Sequence, residues 1–325
     1  MTSYRRVGKS GLTVSTVGLG CNNLGRANTA TESQDATDAV VNAAIDSGIT
    51  LFDVADNYGR EPGLSETMLG KALGSRRGDV VVATKFGMDA KGANGPDLGA
   101  RGSRRYIIQS VEASLRRLGT DWIDLYQFHT PDPLTPIDET LSALDTLVRS
   151  GKVRYIGHSN RSGWQIAQAE YVARELGTAR FISSQNHYNL LDRRAELEVT
   201  PAAEEFGLGV LPYFPLANGL LTGKYSPGHA PEGSRLSHTR TNMVDDADWD
   251  QLGRYSAFAK ERGLTEIEVA FSWLAAQPSV ASVIAGATRP EQVQQNAEAA
   301  DWVPTPEDLA ALDGIFPAVP KVALF

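Results

Sequence analysis

The sequence predicts an α/β fold: a single (β/α)8, or TIM, barrel spanning residues 1–325, with an N-terminal β-hairpin and extra helices after the seventh strand and at the C-terminus. Three observations predict it. A short apolar run followed by a helical pattern recurs eight times, and eight is the count at which a parallel sheet closes. The runs are near-continuous Val, Ile, Leu and Ala, as parallel strands covered on both faces require. The connections longer than a turn all follow strands, so they share the carboxyl-terminal face of a barrel.

Residues 4–15 hold two extended pieces around Gly8-Lys-Ser-Gly11, a turn signal that predicts the hairpin. Thr16-Val-Gly-Leu-Gly20 is the first barrel strand. The helix after it sets Val40, Val41, Ala44 and Ile45 on one face and ends at Gly48, suited to a left-handed cap. The pattern repeats as strand 51–54 with helix 65–74, strand 80–84 with helix 103–118, and strand 122–127 with helix 136–150. Thr135-Pro136 opens the last of these at the cap and first turn, where a missing N–H costs nothing. Strand 153–157 leads to helix 162–176, strand 181–184 to helix 200–206, strand 209–213 to a long loop and helices within 247–277, and strand 281–284 to helix 290–299. An open doubly wound sheet usually has a glycine-rich turn entering a helix directly. Gly18-Leu-Gly20-Cys-Asn-Asn-Leu-Gly25 runs into a polar loop instead.

A content of 42% apolar and 22% charged residues gives a chain of 325 residues ample core. Net charge is −8 with Lys and Arg dispersed among acids, so no basic stripe suggests nucleic acid. The single cysteine, Cys21, excludes an internal disulfide and a Cys-based metal cluster. No run approaches the ~18 apolar residues of a membrane span, and the N-terminus has no apolar leader core, so the expected setting is cytoplasmic.

Four strands end in groups suited to carbonyl chemistry: Asp53 with Tyr58 just beyond it, Lys85, His129, and Ser159-Asn160; the first three strands supply the reacting set of Asp53, Tyr58, Lys85 and His129. Asp53 alone could be a helix cap or a solvated acid. A lysine ending a buried strand is harder to dismiss, because its ammonium must reach solvent or a carboxylate. The second and third strands are neighbours in a barrel, so Lys85 is expected to pair with Asp53. A phenol with its ordinary pKa near 10 donates a proton poorly at neutral pH. The Lys85 ammonium, oriented by Asp53, is expected to lower the Tyr58 value, with His129 orienting a carbonyl oxygen. Together the four form a proton-donating, oxyanion-stabilising set.

What adds to the carbonyl carbon is expected to be hydride. No Gly-x-Ser-x-Gly elbow supplies a nucleophile. The five histidines never form a His-x-His or His-Glu-x-x-His pair, so no metal ligands are assigned. A hydride donor implies a nicotinamide cofactor.

These residues resemble the aldo-keto reductases over nearly the whole chain. Phe52-Asp-Val-Ala-Asp-Asn-Tyr-Gly59, Ala83-Thr-Lys-Phe-Gly87 and Asp124-Leu-Tyr-Gln-Phe-His129 are similar to the family's aspartate–tyrosine, lysine and histidine motifs. The style of the motifs is closer to the branch containing potassium-channel β subunits and bacterial homologues than to aldose reductase. The resemblance implies a barrel binding NADP(H), preferred here, or NAD(H), without a Rossmann fold.

By the same resemblance Ser159, Asn160 and Gln185 contact the nicotinamide carboxamide, and Tyr213 stacks on its ring. Leu216-Ala-Asn-Gly-Leu-Leu-Thr-Gly-Lys224 looks like the pyrophosphate segment, contributing Leu216, Gly219, Leu220, Gly223 and the Lys224 charge. The adenosine end falls at Gly286, Arg289, Gln292 and Asn296, where a strand feeds a helix N-terminus. Gly286-Ala287 stands in place of the family's Lys-Ser pattern and leaves Arg289 as the one cation of that stretch for a 2′-phosphate. The implied activity is NAD(P)H-dependent reduction of aldehydes or ketones, with a small-molecule carbonyl substrate and neither nucleic acid nor membrane as partner. Two rivals are an NADP(H)-binding redox sensor of slow turnover and a metal-dependent barrel hydrolase. Phe86, Met88, Phe214 and Trp302 are the expected apolar lining, and the tail from Trp302 is expected either to cover the mouth or to pack outside. Oligomeric state is left open.

Overall fold

A computed structural model describes residues 3–320 of the protein. Strands β1 (Tyr4–Arg6) and β2 (Thr13–Ser15) form the antiparallel hairpin, with Tyr4 opposite Ser15 and Arg6 opposite Thr13. Eight parallel strands follow: β3 (Val17–Gly20), β4 (Leu51–Asp53), β5 (Val81–Phe86), β6 (Ile123–Phe128), β7 (Val153–Ser159), β8 (Phe181–Gln185), β9 (Gly209–Val210) and β10 (Val283–Gly286). They lie side by side in chain order, and β10 returns to pair with β3. The two remaining edges meet as well. Val210 N donates to Ser279 O at 2.7 Å, Ala281 N to Val210 O at 2.9 Å, and Ile284 N to Pro212 O at 3.0 Å, which closes the barrel.

Helices α1 (Gln34–Asp46), α2 (Leu64–Leu73), α3 (Arg104–Leu118), α4 (Ile137–Arg149), α5 (Gly163–Leu176) and α6 (Ala195–Phe206) each follow one of strands β3 to β8. After β9 come α7 (Asn242–Asp245), α8 (Trp249–Glu261) and α9 (Glu266–Ala275), and after β10 come α10 (Pro290–Glu298) and α11 (Pro306–Ile315). Local chemistry sets their ends. Ser33 and Ser103 accept from Ala36 N and Tyr106 N at the starts of α1 and α3, while Gly119, Gly177 and Gly207 turn left-handed after α3, α5 and α6.

Strands β5 and β7 run two residues past their expected ends, and four further boundaries differ for local reasons. Helix α6 starts at Ala195 and carries Pro201 inside it, whereas Thr200-Pro201 reads as a helix start. Proline's fixed φ suits a helix, and only one backbone bond is lost there. Strand β9 has two residues because Pro212 has no N–H for the ladder, although Leu211 N and Tyr213 N still donate to Ser184 O and Asn186 O. Strand β10 lies two residues beyond its expected span, since Ala281 is occupied in closing the barrel against Val210. Pro136 is the cap of α4 and not its first residue.

The core has two shells. The larger lies between strands and helices. The smaller fills the barrel, where Leu51, Ala83, Leu125, Leu211, Ala281 and Ile284 pack with Val7 and Val14 of the hairpin. The hairpin is thus the floor of the barrel, and the opposite, carboxyl-terminal end is left for polar groups. The tail lies outside: Trp302 packs on Phe258 and Phe316 on Tyr255, both residues of α8. The part of the tail at 321–325 falls outside the described residues.

Gly8 seals this floor with φ +58, and a Cβ there would lie 2.2 Å from Gly207 O. Gly8→Ala is expected to cost roughly 1–3 kcal/mol through combined backbone strain and overlap. Thermal unfolding of the two proteins checks this, the variant melting lower by several degrees.

Candidate active site

The polar layer sits directly above the apolar one. Two residues beyond Leu51, Ala83 and Leu125 stand Asp53, Lys85 and Gln127, pointing the same way by the two-residue period of a strand. Lys85 and Gln127 are register partners across β5 and β6. The Lys85 ammonium is fully buried and donates to Asp53 Oδ2 at 2.6 Å and to Val54 O at 3.1 Å. Its contact with Tyr58 Oη, at 3.5 Å, is at the limit of a hydrogen bond. Asp53 Oδ1 accepts from Gln127 Nε2 at 3.1 Å and Gln185 Nε2 at 2.8 Å. His129 lies against Tyr58 edge to face, with ring centroids 5.8 Å apart.

Dehydration dominates the electrostatics here. Burial pulls the Lys85 pKa down, but the Asp53 charge, Tyr58 and hydrogen bonds to both more than restore it, so the net shift is upward and the ammonium stays charged. For Tyr58 the expected lowering is overturned. Burial of the phenol raises its pKa, the Lys85 charge lowers it, Asp53 raises it again, and the net direction is up. The lysine acts with the expected sign and loses to desolvation. The Asn22 amide beside the phenol also lowers the value. The His129 pKa is depressed well below its ordinary value by burial and then by Lys85, so the ring is neutral, and its buried Nδ1 has no partner among the described residues.

The residues assigned to the nicotinamide end converge on the ends of β7 and β8, bonded to one another. Ser159 Oγ donates to Gln185 O at 2.7 Å. Asn160, at φ +57, donates through Nδ2 to His129 O at 3.0 Å and accepts through Oδ1 from Tyr213 Oη at 2.8 Å. Gln185 turns its amide toward Asp53. Tyr213 is half-buried and stacks on His187, with centroids 5.4 Å apart and planes 6° from parallel.

The segment after it is distorted in a way ordinary loops avoid. Phe214, Ala217 and Asn218 have positive φ, as do Gly219 and Gly223, and Asn218 Oδ1 is buried with no hydrogen-bond partner among the described residues. A Cβ on Gly223 would meet Glu266 at 2.6 Å. Leu220 is buried and Leu216 half-buried, while exposed Lys224 lies over the Tyr225 ring. Further round, Gly286 and Arg289 are exposed and Asn296 is buried. Gln292 Oε1 accepts from Thr288 N at 2.9 Å, holding the start of α10. A strained backbone run with an orphaned acceptor, lying between a cluster of amides and a helix N-terminus, fits an extended dinucleotide.

Two of the four apolar residues expected to line the mouth do not. Phe86 is fully buried and stacks on Tyr126 and Phe128 on the outer side of β5, and Trp302 lies on α8.

Sequence reasoning missed Gln127, although a polar residue inside an apolar strand, two before His129, is a readable signal. It also missed a buried network behind Tyr58. Asp56 accepts from Asn94 Nδ2 at 2.7 Å, Asn94 Oδ1 accepts from Arg117 Nη2 at 2.8 Å, and Arg117 Nε donates to Glu66 at 2.7 Å. Asp56 N donates to Lys85 O at 3.1 Å, which ties this network to the lysine's own backbone.

A closed barrel with its polar cluster at the carboxyl-terminal mouth sets the Lys–Asp pair, the tyrosine and the histidine at the end where (β/α)8 barrels carry their active sites. The chain belongs to the aldo/keto reductase family, whose sequence profile matches residues 16–316. It is 39% identical to the uncharacterized oxidoreductase YrpG of Bacillus subtilis (strain 168), over 97% of this chain and 96% of that protein. It is 37% identical to an L-glyceraldehyde 3-phosphate reductase of Escherichia coli O157:H7, over 95% and 91% of the two chains. It is 35% identical to a probable voltage-gated potassium channel subunit beta of Oryza sativa subsp. japonica, over 98% of each. No helix among the described residues is long and apolar enough to cross a membrane, and no group of metal-ligating side chains occurs among them.

The Asp56 carboxyl has one oxygen without a partner among the described residues, and burial, then the Glu66 charge, pushes its pKa up to about 8. A folded value above the unfolded one means that the folded state holds the extra proton, so stability falls as pH rises between about 4 and 8, by at most about 1.4 kcal/mol per pH unit. Asp56→Asn removes this titration. The melting temperature of the variant relative to the parent should therefore rise steadily across that range, and a constant difference would contradict it.

Proposed function

We propose that the protein is an NAD(P)H-dependent reductase that converts aldehydes or ketones to alcohols, acting as one domain, with Tyr58 as general acid and NADPH preferred. The observation that carries this reading is the fully buried Lys85, paired with Asp53 at 2.6 Å and in contact with Tyr58. A permanent charge is held dry beside a phenol, where it is best placed to stabilise phenolate as the proton leaves. When bound, the reduced nicotinamide supplies hydride to the carbonyl carbon and is itself oxidised.

The remaining steps belong to the chain. Neutral His129 directs the carbonyl oxygen toward Tyr58, whose proton passes to that oxygen as the C=O bond becomes C–O–H. Lys85 stabilises the phenolate left behind until solvent restores the proton, and Asp53, itself held by Gln127 and Gln185, fixes the ammonium. Ser159, Asn160 and Gln185 hold the cofactor's carboxamide, Tyr213 its ring, Leu216 to Lys224 its pyrophosphate, and Gly286, Arg289, Gln292 and Asn296 its adenosine end.

The relatives named as potassium channel β subunits favour a second reading in which the chain serves a partner protein and not turnover, here as a slow NADP(H)-binding redox sensor. Stopped-flow oxidation of bound NADPH by a panel of aldehydes separates the two, since a sensor leaves the cofactor reduced on the time scale of seconds.

Tyr58→Phe is expected to lower kcat by roughly 10²–10⁴-fold while NADPH still binds, and Lys85→Met to act alike and alter the pH–rate profile. Steady-state kinetics with parallel fluorescence titration of NADPH check both. Substantial turnover by Tyr58→Phe would remove the phenol from the mechanism.

A further inference from the structure

One face of the Tyr213 ring is already taken by a titratable group. His187 and Tyr213 are parallel bridge partners just beyond β8 and β9, where Tyr213 N donates to Asn186 O at 3.1 Å. Register therefore sets the two side chains next to each other, and their rings stack with centroids 5.4 Å apart and planes 6° from parallel. Phe214 stands edge-on to both, 5.2 Å from the tyrosine ring and 5.6 Å from the imidazole. The Tyr213 phenol is held at its far end, donating to Asn160 Oδ1 at 2.8 Å. A nicotinamide that stacks on Tyr213 has to take the opposite face, with the imidazole behind the phenol ring.

The hydrogen bonds around His187 decide which nitrogen carries its proton. Asn189 Oδ1 accepts from Leu191 N and Asp192 N, both at 2.9 Å, so the amide nitrogen is the end left for the imidazole. Of the two hydrogens on Asn189 Nδ2, one goes to Phe214 O at 2.9 Å and the other to His187 Nε2 at 3.2 Å. Nε2 is therefore an acceptor. Nδ1, 3.0 Å from Asp192 Oδ2, carries the single proton of a neutral ring.

The charged and titratable groups that face this ring are Asp192 and Arg194 on its own loop, Arg240 on the loop after β9, and the Tyr213 phenol. Burial pulls the imidazole pKa down, Asp192 pulls it up, Arg194 and Arg240 pull it down again, and the net direction is below the ordinary value. The ring is thus neutral at pH 7 and takes a second proton only in mild acid. The side chain is 31% exposed, so solvent can deliver that proton. Its arrival turns Nε2 into a donor facing the Asn189 donor, and it places a full positive charge against the Tyr213 ring.

Oxidised and reduced nicotinamide differ by just such a charge. The dihydronicotinamide is neutral, and on giving up hydride its ring becomes a cation. We propose that His187, acting through Tyr213, sets the relative affinity of the site for the two forms of the cofactor: the neutral imidazole admits the oxidised, cationic ring, and the imidazolium repels it. This rests on the reading of Tyr213 as the nicotinamide platform and adds to it a means by which acid loosens the spent cofactor selectively.

The test is fluorescence titration of the full chain with NADP+ and with NADPH between pH 5 and 8.5. Both carry the same phosphates, so titration of those groups cancels in the ratio of the two dissociation constants. The Kd for NADP+ relative to that for NADPH is expected to rise about threefold or more as His187 takes up its proton. In His187→Phe, which keeps an aromatic ring behind Tyr213, the ratio is expected to stay flat. Should that variant fail to fold, imidazole NMR of the parent reads the same coupling, because NADP+ must then lower the His187 pKa by about half a pH unit or more while NADPH does not. A ratio independent of pH in the parent, or the same pH dependence in His187→Phe, would overturn the proposal. So would a His187 pKa that NADP+ leaves unchanged. A parent that binds neither form of the cofactor is a different result, and it removes the cofactor reading itself.

Discussion

The ion pair between Lys85 and Asp53 is the constraint on which the rest of the site depends. An ammonium with no solvent exposure is tolerated only when paired and hydrogen-bonded, and a partner removed from such a pair typically costs about 3–5 kcal/mol. The carboxylate that balances it is itself fixed from two further strands. Lys85 comes from β5, Asp53 ends β4, Gln127 lies on β6 and Gln185 ends β8, so four strands of the barrel meet on one side chain. The barrel holds the pair, and the pair in turn fixes the heights of the strand ends around it.

The same dryness that makes the pair strong works against the phenol beside it. Placing a cation near Tyr58 is not sufficient to bring its pKa down, because burial of the phenolate and the Asp53 charge act in the opposite direction. The lysine's part in the proposed chemistry is to stabilise a charge that forms during the reaction. Neutral His129 is consistent with this division, since a second cation so close to Lys85 is disfavoured by burial and by repulsion alike.

Behind the proposed acid, the run from Asp56 through Asn94 and Arg117 to Glu66 ties α2 and α3 to the loop after β5. Asp56, two residues before Tyr58, is thereby held from outside the barrel, while the Tyr58 phenol itself contacts Lys85. Across the mouth, the strained run from Phe214 to Gly223 leads into the loop carrying Arg235 and Arg240, so two faces of the mouth differ in character.

The sequence alone determined the alternation of strands and helices, the count of eight, the hairpin and the four polar strand ends, because each is a local pattern of apolar runs, turns and caps. The Lys85 and Asp53 pairing was readable too, since adjacent strands in a parallel barrel place their ends together. Only the tertiary structure decided the rest. Gln127 looked like one polar residue in an apolar strand until register set it beside Lys85, and Asp56 and Arg117, 61 positions apart in a chain read linearly, meet through Asn94. The direction of the Tyr58 pKa depends on how much water reaches the phenol, and the placement of Arg235 and Arg240 over Phe214 depends on how the loop after β9 folds back. Burial and contacts between distant segments are properties of the packed chain, and no local pattern carries them.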